Sequence, residues 1–281
     1  MINGKVLYST KGAAMEYGRI GCNFYTGCPH ECTYCYLKRG APSKQLGGNE
    51  VKLKKCLEAT DTAHEIFKKE LDKWQAECQE HGIFLSFTTD PLIPETRWMT
   101  AFAIMRATSK QIPVTILTKD ATFFYDDVFC ECLKMMHDCQ LVKRFAAFGF
   151  TLTGHDEMEP HASSNADRLR AMEELRWMGF YTWASIEPVI DWPSSIDMVR
   201  KSIEHCYHYK IGLRSGVKKD YYNLNETWSS LNILKSIILE AGKTVYFKES
   251  VRNYLTKNGM QSNDISDLLR GTVDMDENII Q

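Results

Sequence analysis

The chain has 281 residues, 44% of them hydrophobic and 25% charged, with a formal net charge of -2 at pH 7. That composition is ordinary for a globular protein, and the length suits one large or two small domains whose core needs no covalent staples. It excludes a chain-wide basic field of the kind that holds nucleic acid or anionic membrane, while leaving room for a local basic groove.

Ten cysteines are present. The first ten residues, MINGKVLYST, contain Lys5 and no apolar run, and no stretch approaches the ~20 apolar residues that a spanning helix needs. A reducing, cytoplasmic compartment is therefore expected, with thiols that are free or bound to metal.

In chain order, residues 1–18 show no clear period and read as a lead-in loop or short strand. IGCNFYT is the first plausible strand. A cysteine loop follows, punctuated by Gly27 and Pro29, and then RGAPSKQLGGNE at 39–50, a loop returning the chain to the surface. Phe67, Leu71, Trp74 and Cys78 fall on one helical face, with Asp61 or Thr62 as cap and Gly82 as stop. IFLSFTT is a buried strand. Trp98, Phe102 and Met105 mark a helix ended by Pro113, and VTILTK is the next strand.

The rhythm repeats through a helix at 123–139, the strand AAFGFTLT, a helix carrying Leu169, Met172 and Leu175, and the strand YTWASIEP. It continues through a helix carrying Ile196, Val199 and Ile203, the strand YHYKIGL, a helix carrying Leu231, Leu234 and Ile238, and the strand KTVYFKE. Gly82, Gly179 and Gly242 each stand between a helix and a strand, where a left-handed stop is expected. Such alternation predicts an α/β protein: a closed or partly closed parallel barrel, with a doubly wound open sheet as the alternative. Beyond residue 257 acidic residues outnumber Arg270, so a short helix and a loosely held tail are expected over 258–281.

Chemistry concentrates in CNFYTGCPHECTYCYLK, where Cys28, Cys32 and Cys35 form a C-x3-C-x2-C pattern. Structural zinc usually takes four ligands, and His30 would complete a Cys3His set. Cys22 is a further possible ligand, better read as a core residue of its strand. Three thiolates holding a [4Fe–4S] cluster instead leave one iron open to a substrate or cofactor. Cys130 and Cys132 point apart on a helix and read as ordinary thiols.

GCPHECTYCYLK closely resembles the cluster loop of radical S-adenosylmethionine (radical SAM) enzymes, C-x3-C-x-aromatic-C. More narrowly it looks like the spore photoproduct lyase and DNA-repair-photolyase-like branch. TTDP at 88–91, LTK at 117–119, FTLT at 150–153, Glu159-Pro160 followed by Arg168, and IGLR at 211–214 resemble that branch in order. The resemblance implies a partial (β/α)6-type TIM barrel over residues 1–257, with parallel strands, helices outside and a short C-terminal extension. It implies a [4Fe–4S] cluster on Cys28, Cys32 and Cys35 that cleaves S-adenosylmethionine to a 5′-deoxyadenosyl radical, which abstracts hydrogen from substrate. A nucleic acid substrate and a reductant such as flavodoxin or ferredoxin go with it. A peptide or small-metabolite substrate, and a non-enzymatic Cys3His zinc module, are the alternatives.

By the same resemblance Tyr34 lies near the adenine, and Tyr36 matches a position implicated in hydrogen transfer. Thr88, Thr89, Asp90, Lys119, Thr151, Arg168 and Glu187, at or after predicted strand ends, are expected to contact the cofactor. For Asp90 turn chemistry is the plain alternative, and for Arg168 a surface ion pair. Glu187 can serve ribose or substrate, and Trp183 and Trp192 can stack a base or fill the core. Arg214, Lys218, Lys219 and Tyr221 combine cations with aromatics and are expected to meet substrate, against the reading of a solvated loop. The branch's hydrogen-returning cysteine is replaced by Phe87, which puts repair of spore photoproduct by that route in doubt.

Overall fold

The apolar runs read from the sequence pair as strands in one winding direction. A computed structural model describes residues 1–40 and 43–273. Asp274, Asp276 and Glu277 of the acidic tail lie outside them, as does part of the 39–50 loop. The strands are β1 (Leu7–Ser9), β2 (Ile20–Cys22), β3 (Tyr25–Thr26), β4 (Lys52–Leu53), β5 (Ile83–Leu85), β6 (Val114–Thr118), β7 (Ala146–Thr151), β8 (Tyr181–Val189), β9 (His208–Leu213) and β10 (Thr244–Phe247). One sheet has the order β1-β2-β5-β6-β7-β8-β9-β10. All neighbours from β2 onward are parallel, and β1 alone runs antiparallel on the edge of β2. Helices intervene between the parallel strands, as crossover connections of parallel neighbours require.

This is the expected partial barrel, with an antiparallel edge strand that the unpatterned lead-in did not disclose. The sheet does not close on itself among the described residues. Instead the segment between β1 and β2 reaches across to β8, β9 and β10. The Glu16 carboxylate accepts from Tyr246 Oη (2.8 Å) and from the Glu249 amide (2.6 Å), and Lys210 Nζ donates to the Glu16 carbonyl. Tyr17 Oη donates to Glu187 and lies 2.9 Å from Ser185 Oγ. A polar stretch thus bridges the two sides of the sheet with its own charges.

The main core lies between sheet and helices, and includes Phe67, Phe148, Phe150, Leu175, Leu234 and Phe247. Each such side chain contributes about 1.5–3 kcal/mol of burial. A smaller cluster of Phe84, Ala147 and Trp183 packs on the other face of the sheet, against Tyr17 and Phe87. Gly149 makes room for it, since a Cβ there would stand 2.1 Å from Trp183 Cε2. Trp183 and Trp192 are both buried, so neither offers a face for stacking a base.

Several local expectations change. The long helix breaks at Trp74 into Thr60–Lys73 and Gln75–His81, and it starts after Ala59 without a side-chain cap. In helix Arg97–Thr108 the buried stripe is Met99, Ala103, Ile104 and Ala107, while Trp98 and Met105 face outward. That helix is apolar on nearly every face, so period alone does not choose its inner side. Gly82, Gly179 and Gly242 do take positive φ. Residues 258–273 include a helix, Ser262–Leu269, that buries Leu268, and the Val273 amide bonds the Val245 carbonyl at 3.0 Å.

His208, at the start of β9, is buried with Nδ1 2.9 Å from Thr244 Oγ1 and no partner for Nε2 among the described residues. Burial, then the nearby Lys210 charge, pulls its pKa down to about 3. The unfolded chain therefore takes the proton first, near pH 6.5. This residue's contribution is intact above that pH and is lost as pH falls toward 3, at about 1.4 kcal/mol per unit. Urea unfolding of native protein and His208→Gln at pH 6.5 and 5 is expected to show the variant losing roughly 2 kcal/mol less.

Candidate active site at the strand ends

The loops that follow β2, β5, β6, β7 and β8 leave the same, C-terminal end of the parallel sheet, where loops from separate strands converge. The cysteine loop after β3 is anchored on both sides. On one side the Cys28 amide bonds the Gly48 carbonyl at 2.9 Å. Gly27 has φ +83°, and a Cβ there would lie 2.1 Å from the Glu50 carbonyl oxygen. On the other side the Thr33 amide bonds the Met158 carbonyl at 2.9 Å, and the His161 amide bonds that of His30 at 3.4 Å. These ties bring Cys28, Cys32 and Cys35 to the lining of one pocket, with His30, Lys38, Leu46 and Gly47.

The donor set fits an iron–sulfur cluster. Two buried polar atoms beside it, His30 Nε2 and Thr89 Oγ1, have no hydrogen-bond partner among the described residues. Uncompensated groups of this kind mark places where a bound group supplies the partner. Burial, with Asp90 adding to it, pushes the Cys28 thiol up to about 12, and burial also raises Cys32. Both must lose a proton to ligate, so loading releases protons. Among the described residues no three His, Cys, Asp or Glu side chains converge on a point that one metal ion would occupy. His30 faces Asp90, with Nδ1 3.6 Å from Oδ2.

The predicted contact residues divide. Thr88 Oγ1 donates to the Tyr25 carbonyl at 2.5 Å, while Thr89 Oγ1 is free. Asp90 Oδ1 accepts from Thr118 Oγ1 (2.6 Å) and the Leu92 amide (3.0 Å), and Oδ2 accepts from the Lys119 amide (2.7 Å). Its carboxylate therefore ties the loop after β5 to the end of β6. Lys119 Nζ stands 5.6 Å from the Tyr34 ring centroid. Burial works against its charge, but Cys32 and Glu159 outweigh it, so its pKa moves up.

Arg168 is not on the surface. It is fully buried, pairs with Glu159 Oε2 at 2.7 Å, and donates to the carbonyls of Ser163 (2.8 Å) and Thr151 (2.9 Å). Thr151 is buried at the end of β7. Tyr34 Oη donates to Glu159 Oε1, so Glu159 joins the cysteine loop to Arg168. The sequence showed Glu159 only as part of a motif; the buried arginine behind it gives it a partner.

Tyr36 is 57% exposed, and its hydroxyl donates to the Phe87 carbonyl. Glu187 faces Tyr17 and Lys248, with Lys248 Nζ 2.6 Å from Oε2. The sequence reading missed Glu16, Tyr17 and Lys248, which sit in polar or terminal stretches without a motif. Arg214, Lys218, Lys219 and Tyr221 lie on or beside the exposed loop after β9. Arg214 lies over the Tyr221 ring at 5.8 Å, and Arg39 Nη1 donates to the Ser215 carbonyl at 2.9 Å. That last contact joins this loop to the end of the cysteine loop.

No family model and no curated protein matches the sequence. Solved structures do. Spore photoproduct lyase complexed with dinucleoside spore photoproduct superimposes with a TM-score of 0.63 at 14% identity, over 86% of this chain and 79% of its own. A mutant of that enzyme with bound AdoMet and dinucleoside spore photoproduct gives 0.60 at 12%, over 95% and 77%. This chain shares their fold. SuiB of Streptococcus suis, bound to precursor peptide SuiA, gives 0.54 at 10%, over 86% of this chain and 52% of SuiB. The barrel anticipated from the cysteine motif is therefore the one observed. No helix among the described residues is long and apolar enough to cross a membrane.

Proposed function

We propose that this chain is a radical S-adenosylmethionine enzyme of the photolyase-like branch, with Cys28, Cys32 and Cys35 holding a [4Fe–4S] cluster. The observation that carries the reading is the shared pocket of those three cysteines, at the strand ends of a fold that binds AdoMet in another protein. When bound and reduced, the cluster supplies the electron for reductive cleavage of S-adenosylmethionine. The chain's residues do the rest. Thr89 Oγ1 is available as a hydrogen-bonding group for the cofactor, and Lys119 is a point charge for its carboxylate. Tyr34 is held by Glu159 as a wall of the site. Tyr36 and Phe87 stand at the edge facing substrate, and Glu187 holds Tyr17 there.

For substrate we favour a nucleic acid or nucleotide. The loop with Arg214, Lys218, Lys219 and Tyr221 adjoins the cysteine loop through Arg39 and offers cations and an aromatic face. A peptide or small metabolite is the second reading, favoured by Phe87 in place of the hydrogen-returning thiol and by the net charge of -2. A reducing compartment and a one-electron protein donor such as flavodoxin or ferredoxin accompany either.

The test is anaerobic reconstitution with iron and sulfide, then reduction with S-adenosylmethionine present. Release of 5′-deoxyadenosine and methionine in equal amounts is expected; a reconstituted protein that releases neither overturns the proposal. Binding to short single-stranded DNA that strengthens as salt is lowered separates the first substrate reading from the second.

A further inference from the structure

We infer that the buried Glu159–Arg168 pair is a charge balance that sets the reduction potential of the cluster held by the Cys28–Cys35 loop, with Glu159 also positioning Tyr34. The inference rests on the proposed function and concerns residues behind the cysteines.

Three observations carry it. The pair is next to the loop: Tyr34, between Cys32 and Cys35, donates to Glu159 Oε1, and the Thr33 amide bonds the Met158 carbonyl at 2.9 Å. Both side chains are 0% exposed, so water and salt screen their charges little. Both are tied to their surroundings: Arg168 Nε and Nη1 donate to the carbonyls of Ser163 and Thr151, and Thr153 Oγ1 donates to Glu159 Oε2 at 3.2 Å. Arg168 Nη2 lies 2.7 Å from Glu159 Oε2, so its effect on the cluster is exerted through its charge and through Glu159.

The potential of a cluster follows nearby net charge, hydrogen bonds to sulfur and exposure. Reduction adds a negative charge. Removing the Glu159 carboxylate while leaving Arg168 favours the reduced form and moves the potential upward. Removing the Arg168 cation while leaving Glu159 moves it downward. Removing both restores the local charge.

The experiment is redox titration of the reconstituted cluster, followed by electron paramagnetic resonance, in native protein, Glu159→Gln, Arg168→Gln, the double variant and Tyr34→Phe. Glutamine is nearly isosteric with glutamate and keeps an acceptor for the Tyr34 hydroxyl. The expected result is a potential above native in E159Q, below native in R168Q and close to native in the double variant. Y34F, which changes no charge, should shift less than E159Q. Should R168Q or the double variant fail to fold, E159Q against Y34F still decides. A native cluster with an E159Q potential unshifted or lowered overturns the inference and leaves the proposed function standing. Native protein that takes up no cluster sinks both.

Discussion

Alanine at Cys28, Cys32 or Cys35 is expected to abolish iron–sulfur loading, taking iron from about four atoms per chain to background. Each thiolate in a three-cysteine site carries a third of the protein ligation, and no neighbouring thiol stands ready to replace it. Cys22 is buried in β2, where burial and then Cys78 hold its thiol well above the usual range. Cys130 is on a separate helix, with Sγ donating to the Phe124 carbonyl at 3.2 Å. Cys22→Ala and Cys130→Ala should therefore retain full iron. Iron and sulfide analysis after anaerobic reconstitution checks the set. Full loading of Cys35→Ala, or loss of iron in Cys130→Ala, would mean the ligands are misassigned.

Lys248→Met is expected to cost about 3 kcal/mol of folding stability, toward the lower end of what breaking a buried ion pair costs. Lys248 is 3% exposed, with Nζ 2.6 Å from Glu187 Oε2 and 3.6 Å from Glu16 Oε2. Its ammonium also lies 4.1 Å from the Tyr17 ring centroid. Methionine fills the volume but leaves two carboxylates facing each other across the sheet opening. The Glu187 side chain keeps 22% of its surface, which lets it reach water and moderates the loss. Lys201→Met is the control. Its partner Asp197 is as near, at 2.6 Å, but both side chains are at least half exposed, so a cost under about 1 kcal/mol is expected. Urea unfolding of the two variants separates them. Equal costs would mean that the Glu16–Lys248–Glu187 group does not brace the sheet.

The alternation of strands and helices was largely legible because each strand is a short apolar run and each crossover helix has a face of its own. Positive-φ glycines at Gly82, Gly179 and Gly242 marked the joints. The cysteine ligands were legible for a different reason: three thiols within eight residues need no tertiary information to be recognised. What was hidden depends on distant partners. Glu16 sits in an unpatterned lead-in, and nothing local shows that Tyr246 and Lys248 lie across from it. Arg168 is marked for the cofactor by resemblance and for a surface ion pair by its helical spacing; neither shows the buried pairing with Glu159 at 2.7 Å. Asp90 ends a strand, but nothing local shows that its carboxylate also binds Thr118 and the backbone of Leu92 and Lys119. Long-range electrostatic partners leave no period in a sequence, and in this chain they surround the site.

A cluster held by three cysteines keeps one iron open to S-adenosylmethionine, and the electron paramagnetic resonance spectrum of the reconstituted, reduced protein, recorded with and without S-adenosylmethionine, reads that iron. The expected result is the signal of a reduced [4Fe–4S] centre that changes when S-adenosylmethionine is added, because the open iron gains a ligand. Zinc in stoichiometric amount without iron, or a cluster signal indifferent to S-adenosylmethionine, would contradict it.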